Sequence, residues 1–331
     1  MNTMLRGRDF ITLKGYTRED LETILRLAFD LKMKLAVREP HPLLPFRELG
    51  MLFCNPSTRT RISFETAMSH LGGHAQYYAP EHLQLIRMKE SWVDTAQTMS
   101  RYLDGIVVRI ARLPNVNLDY GEGHAILQTM ADNASIPVIS ASDDVEHPCQ
   151  TMADIMTMIE KFGTDYKKKK VAVVFSCKKV GISPGAAHSL IIGAGILGMK
   201  LTFAYPKGYD LDPAYINEGM RLADESGGSI EIVHDINEAV ENADVIYAKD
   251  WRAIGKTIEE DLEMRKSLKG WYVRKEHFDV AAPKAIFMHS MPLERDQDVT
   301  SEVVDSPRSV IYDQAENRLH TQKAIMSLLM R

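Results

Sequence analysis

Short apolar runs alternate with segments of helical period along the whole chain. The run at 51–53 has strand character, and a polar turn follows at 54–61. Phe64, Ala67, Met68 and Leu71 then recur on one helical face until Gly72 and Gly73 stop the helix. Upstream, Thr17 and Asp20 form a capping box. Leu21, Ile24, Leu25, Ala28 and Leu31 continue at helical spacing, which predicts a helix over 18–35. Pro40, Pro42 and Pro45 separate it from the first strand. The pattern goes on with a strand at 74–79, a loop at 80–91, a helix at 91–103, a strand at 105–110, a helix at 121–134 and a strand at 136–139. A polar cluster at 142–148 marks a domain boundary, and a helix over 150–162 bridges it. In the second half, strands are predicted at 171–175, 201–205, 230–233, 245–247 and 285–288, with helices at 186–197 and 213–225. A short strand at 310–312 precedes a final helix over 315–330.

This alternation predicts an α/β fold of two doubly wound parallel-sheet domains with a cleft between them. The expected domains are 1–145 and 146–314, with 315–331 a helix returning to the first. Ligands of such sheets bind beyond the carboxyl ends of the strands. The residues closing those strands are therefore the ones to inspect.

Composition narrows the classes. A chain of 331 residues suits about two domains, and 45% hydrophobic with 26% charged residues is ordinary for a soluble globular protein. A net charge of −5 argues against general nucleic-acid affinity. The lysines at 167–170 read as a solvated turn. No apolar run nears the ~20 residues that span a bilayer, and the N-terminal stretch lacks secretory character. The 3 cysteines, at 54, 149 and 177, do not suggest a disulfide framework and fit a reducing cytoplasm. No spacing suggests a metal site.

The polar turn carries the richest chemistry. Ser57, Thr58, Arg59, Thr60 and Arg61 sit where a strand gives way to a helix. Free backbone N–H groups and the helix dipole favour an anion there, and forked guanidinium groups match phosphate oxygens. The alternative is an ordinary capped helix start. Gly193, Gly195 and Gly198 match a dinucleotide-binding spacing, but no strand precedes them and no acidic residue follows at the required place. His147, Pro148, Cys149 and Gln150 follow the domain boundary; His147 is either a donor to a carbonyl or half of a Cys–His pair. Arg109, Lys249 with Asp250 and Trp251, and His289 with Ser290 and Met291 all close strands.

In order, these stretches resemble the aspartate/ornithine carbamoyltransferase family over nearly the full length. The run 57–61 is similar to its carbamoyl-phosphate signature, and 147–150 to its second motif. The ending 313–324 is very similar to the ornithine branch. The resemblance implies an enzyme that moves a carbamoyl group from carbamoyl phosphate to a small amine or amino acid and releases phosphate, without metal or organic cofactor. It implies a homotrimer with sites between subunits. Ser57, Thr58, Arg59 and Thr60 would hold the phosphate. Arg109, His147, Gln150 and Arg318 would bind the carbamoyl part, with Thr60 near its carbonyl. Gln84 would reach a neighbouring site. Arg59, Thr60, Arg109 and His147 would carry catalysis.

The second-substrate motifs depart from the ornithine branch. Ser140 lies in a stretch where that branch has Asn-x-Leu. Lys249 replaces the aspartate that takes the α-amine, followed by Asp250 and Trp251. Ser290 and Met291 replace Cys-Leu. A lysine facing an ammonium group is unfavourable. The expected acceptor is therefore not standard ornithine but putrescine, an acylated ornithine, oxamate or a diaminopropionate-like amine. Lys249, Arg252 or Arg295 would receive a carboxylate, and Glu294 or Asp250 a cation. The alternatives are an ordinary ornithine carbamoyltransferase with a divergent site and a non-catalytic carbamoyl-phosphate-binding paralogue.

Overall fold

Among the described residues, nine parallel strands divide between two sheets. The computed structural model describes residues 4–79, 90–111 and 118–330. By internal contacts the chain forms two compact units: Met1–Ala153 with Glu316–Arg331, and Asp154–Ala315. The polar stretch 142–148 thus belongs to the first unit.

In the first unit, α1 (Arg18–Ala36) starts at Thr17, whose side chain accepts from the Asp20 N–H, while the Asp20 carboxylate accepts from the Thr17 N–H. Then come β1 (Glu48–Phe53), α2 (Thr58–His70), β2 (His74–Tyr78), α3 (Trp92–Met99), β3 (Gly105–Ile110), α4 (Glu122–Asn133) and β4 (Val138–Asp143). The sheet order is β2-β1-β3-β4, all parallel. The order reverses at β1, so the switch point lies between β1 and β3, where Phe53 pairs with Arg109. A crevice outside those two strand ends is the expected ligand place. Ile106, Val108, Ile110, Leu52 and Leu127 fill the core beside this sheet.

The chain enters the second unit within α5 (Pro148–Phe162) and leaves it within α12 (Ile311–Leu329). Between them lie β5 (Lys170–Phe175), α6 (Gly185–Leu197), β6 (Lys200–Ala204), α7 (Pro213–Ser226), β7 (Ser229–Val233), α8 (Ile236–Val240), β8 (Val245–Lys249), α9 (Ile258–Arg265), α10 (His277–Val280), β9 (Ile286–His289) and α11 (Ser301–Val304). The order β7-β6-β5-β8-β9 is again parallel and puts a switch point between β5 and β8.

Several boundaries differ from the pattern. The strand expected at 310–312 does not form. Arg308 and Val310 bond across to Phe287 through a single bridge at Ser309, and Ile311 already opens α12. An apolar Val-Ile-Tyr run is ambiguous between strand and buried helix start. β4 reaches Asp143 because its polar end is wholly buried. The helix expected over 91–103 stops at Met99.

The glycine triplet lies in α6 and its cap. Gly193 and Gly195 are helical, and Gly198 ends the helix at φ 73°. Gly195 lets α7 approach closely: a Cβ there would stand 2.8 Å from the Gly219 carbonyl oxygen and 3.0 Å from Leu222 Cβ. Packing, not phosphate binding, explains this glycine. Gly195→Ala should therefore destabilise the fold by about 1–3 kcal/mol through overpacking. The denaturant midpoint checks it, and an unchanged or higher midpoint would contradict it.

Candidate functional site

The Ser57–Thr60 turn meets the end of β3 at the first unit's switch point. Asn55 fixes the turn, its Oδ1 accepting from the Ala111 N–H at 3.1 Å. Ser57 is the N-cap of α2 with extended backbone (φ −156°, ψ 107°), but its hydroxyl caps no N–H and donates to Thr60 Oγ1 at 2.9 Å. The first turn of this 13-residue helix holds no acidic side chain. The N-terminal N–H groups are thus left for another acceptor. Thr58 is exposed, and Thr60 is 1% exposed.

Arg59 is half-buried, with Nε buried and bonded to nothing, and burial disfavours its charge. No carboxylate among the described residues pairs with it. Arg61 is different. Its Nε donates to Glu65 at 2.9 Å, and its guanidinium lies 3.9 Å from the Tyr77 ring centre. One of the two arginines of the turn is therefore engaged elsewhere.

Two further stretches join Thr60 and the strand ends. Arg318 of α12 donates from Nη2 to Thr60 Oγ1 at 2.8 Å, across 258 positions of sequence. Arg109 donates from Nη1 to the Ala141 carbonyl at 2.9 Å. His147 and Gln150, 9% and 1% exposed, sit at the start of α5, where Pro148 suits the first helical position.

The loop leading there is shaped by Asp143. Its Oδ1 accepts from the N–H groups of Val145 and Glu146 at 2.8 and 2.6 Å, and its Oδ2 meets His124 Nδ1 at 3.1 Å. Thr12 donates to Glu146 at 2.5 Å. Ser142, at φ 119°, takes a conformation that non-glycine residues rarely adopt. Cys149 is fully buried, and burial pushes its thiol up to about 12. It is no thiolate nucleophile, so the Cys–His alternative falls.

Ser140 is buried in β4, its hydroxyl 3.4 Å from Asp143 Oδ2. Gln84 lies outside the described residues.

In the second unit, Lys249 ends β8 and is 3% exposed. Its Nζ donates to the carbonyls of Ser183 (3.3 Å) and Asp250 (2.5 Å). Burial first, and Lys178 beside it second, push its pKa down to about 7. Asp250 accepts from Arg265 Nη1 at 2.8 Å through Oδ1, while its Oδ2 is buried without a donor.

Trp251 is fully buried against Phe175, its indole N–H donated to the Tyr209 carbonyl at 2.9 Å. Placed there, it is a core residue and offers no free polar atom. Met291 is half-buried against the core, and Ser290 bonds with the buried Tyr247. Arg295 is tied to Asp305 by two bonds of 2.7 and 2.8 Å. Glu294 Oε2 is buried without a donor.

Lys178, Asp298 and Arg265 carried no signal in the sequence. They lie in polar loops or a short polar helix, and only the fold brings them to the end of β8.

Comparison with known proteins agrees with this geometry. Residues 8–160 match the family described as aspartate/ornithine carbamoyltransferase, carbamoyl-P binding domain. Residues 180–329 match the same family's Asp/Orn binding domain. The ornithine carbamoyltransferase of Pyrococcus abyssi (strain GE5 / Orsay) is 44% identical over 330 residues, covering 100% of this chain and 98% of that protein. The solved ornithine carbamoyltransferase from Pyrococcus furiosus superposes with a TM-score of 0.88 at 43% identity, covering 98% of each chain. An acetylornithine transcarbamylase complexed with acetylcitrulline gives 0.87 at 30% identity, over 97% of this chain and 99% of that one. Among the described residues, no helix is long and apolar enough to cross a membrane. With both halves matched in order, the chain belongs to the aspartate/ornithine carbamoyltransferase family.

Proposed function

We propose that this carbamoyltransferase moves the carbamoyl group of carbamoyl phosphate to the side-chain amino group of ornithine or a close ornithine derivative, releasing phosphate. The observation that carries the reading is the start of α2: an N-terminus without a side-chain cap or acidic residues, beside an Arg59 whose buried Nε has no partner among the described residues. Ser57, Thr58, Arg59 and Thr60 hold the phosphate. Arg109, His147, Gln150 and Arg318 surround the carbamoyl part, with Thr60 at its carbonyl oxygen.

The amine nitrogen attacks the carbonyl carbon, the bond to the phosphate oxygen breaks, and the departing phosphate takes the amine proton. Negative charge grows on the carbonyl oxygen in between. Donors already fixed there stabilise that charge more than the ground state.

Two features support an amino acid as acceptor. Relatives at 42–44% identity are named ornithine carbamoyltransferase. In the second unit, a buried lysine that no carboxylate among the described residues pairs with, and buried acceptor-only oxygens of Asp250 and Glu294, suit the two charges of an amino acid. These relatives favour ornithine over the non-standard acceptor that the altered motifs suggest. A second reading, an ornithine derivative whose α-amine is masked, is favoured by Lys249 alone, which repels a free ammonium group. We also propose a homotrimer, for which light scattering should give three chain masses.

Thr60→Val tests the carbonyl site. It keeps the side chain's shape but removes the acceptor shared by Ser57 and Arg318. We expect kcat to fall by about 10²-fold or more, the loss seen when one oxyanion donor is disturbed. A kcat within threefold of wild type in steady-state phosphate release would remove Thr60 from the site.

A further inference from the structure

Lys249 is an exception among the buried cations of the second unit. Arg265 pairs with both Asp250 (2.8 Å) and Asp261 (2.6 Å). Lys178, 4% exposed, has Asp298 Oδ2 at 3.4 Å and the Pro292 carbonyl as partners. Lys249, as deeply buried, has no carboxylate within ion-pair distance among the described residues. It holds only two carbonyl oxygens. A buried ammonium group without a direct ion-pair partner is costly, and a fold does not need one here.

Asp250, Asp298 and Asp154 lie close enough to favour the Lys249 charge, but none of them pairs with it directly and burial outweighs them. Asp298 is committed three ways: to Lys178, to His289 Nε2 at 3.0 Å, and to the Glu294 N–H at 2.8 Å. His289 is held neutral, since its Nδ1 accepts from the Met291 N–H at 2.8 Å, and burial pushes its pKa down to about 4. Lys178 and Lys249 repel each other, and that repulsion works with burial against the Lys249 charge. Lys178 follows β5 and Lys249 ends β8, the two strands that flank the second unit's switch point, outside whose carboxyl ends ligands bind in open α/β sheets.

We propose that Lys178, held by Asp298, is a second cation of the acceptor site and joins Lys249 in receiving one carboxylate group of the acceptor. This rests on the amino-acid acceptor reading above and names the residues that select it. Each ammonium group has three N–H donors. Lys249 uses two on carbonyls, which leaves a donor for a carboxylate oxygen. A single negative charge received by both lysines would offset the repulsion between them. Putrescine, which has no carboxylate, leaves that repulsion in place and is a poor acceptor.

The test is binding to the full chain in the presence of carbamoyl phosphate, by calorimetry. L-norvaline, an ornithine side chain without the reacting amine, is compared with its carboxamide, in which an isosteric uncharged amide replaces the carboxylate. Wild type should prefer the acid at least tenfold. Lys178→Met should abolish the preference, and Lys178→Arg should restore part of it. Carbamoyl phosphate affinity should stay within twofold in both variants, which a folding defect would not spare. Inorganic phosphate should displace carbamoyl phosphate without weakening norvaline, so the anion received here is a carboxylate. An equal affinity of wild type for acid and amide, or a Lys178→Met variant that keeps the preference, overturns the inference. Phosphate release with L-ornithine is measured alongside. Its absence with the acid preference intact would remove the enzyme reading and leave the carboxylate site standing.

Discussion

Arg59→Ala should lose carbamoyl phosphate binding and leave the fold intact. Charge-assisted bonds to an anion contribute roughly 1.5–3 kcal/mol each. Two from one guanidinium fork correspond to roughly 10²–10⁴-fold in affinity. The fold should not suffer, because Arg59 makes no ion pair among the described residues and burial already disfavours its charge. Arg61 cannot take over, since Glu65 and the Tyr77 ring hold it. Calorimetric titration reports the affinity, and a urea melt reports the fold. Binding within threefold of wild type would take Arg59 out of the phosphate site.

Lys249→Met should give a more stable and much less active protein. The folded state holds this lysine's pKa near about 7, through burial and then Lys178, against roughly 10.4 in the unfolded chain. Between those values the unfolded chain binds the extra proton, so stability rises with pH across that window. The penalty is fully present below about pH 7 and gone above about 10.4. Removing the lysine therefore helps most at pH 7 and below, by up to about 5 kcal/mol, and little near pH 10. Turnover should fall by about 100-fold or more through the acceptor KM, the trade between stability and function expected at a charged binding site. Denaturant midpoints at pH 6 and pH 10 test the first half, and steady-state kinetics the second. A variant less stable at pH 6 would contradict the account of Lys249.

Much of the architecture was legible in the sequence because the two periodicities are clean. The 18–35 pattern with its Thr17–Asp20 box became a helix almost to the residue. The Ser57–Arg61 cluster sits at a strand-to-helix junction, as its flanks suggest. The failed context of the glycine triplet placed it inside a helix. Other features depend on contacts no local pattern carries. Thr60 and Arg318 are far apart in sequence and meet only because α12 packs back on the first unit. Trp251 looked like a strand-end contact but fills an aromatic core. The isolation of Lys249 is visible only when its carboxylate neighbours are found paired with Arg265 and Lys178. The 310–312 run was misjudged because three apolar residues do not distinguish a strand from a buried helix start.

The central claim is transfer of a carbamoyl group to an ornithine-type amino acid. Mass spectrometry of the full chain with carbamoyl phosphate and a mixture of L-ornithine, N-acetyl-L-ornithine, putrescine and other amines tests it most directly. The account predicts one dominant carbamoylated product, from ornithine or its acylated form, with phosphate released in equal amount. No carbamoylated product from any amine, with carbamoyl phosphate still bound, would contradict it.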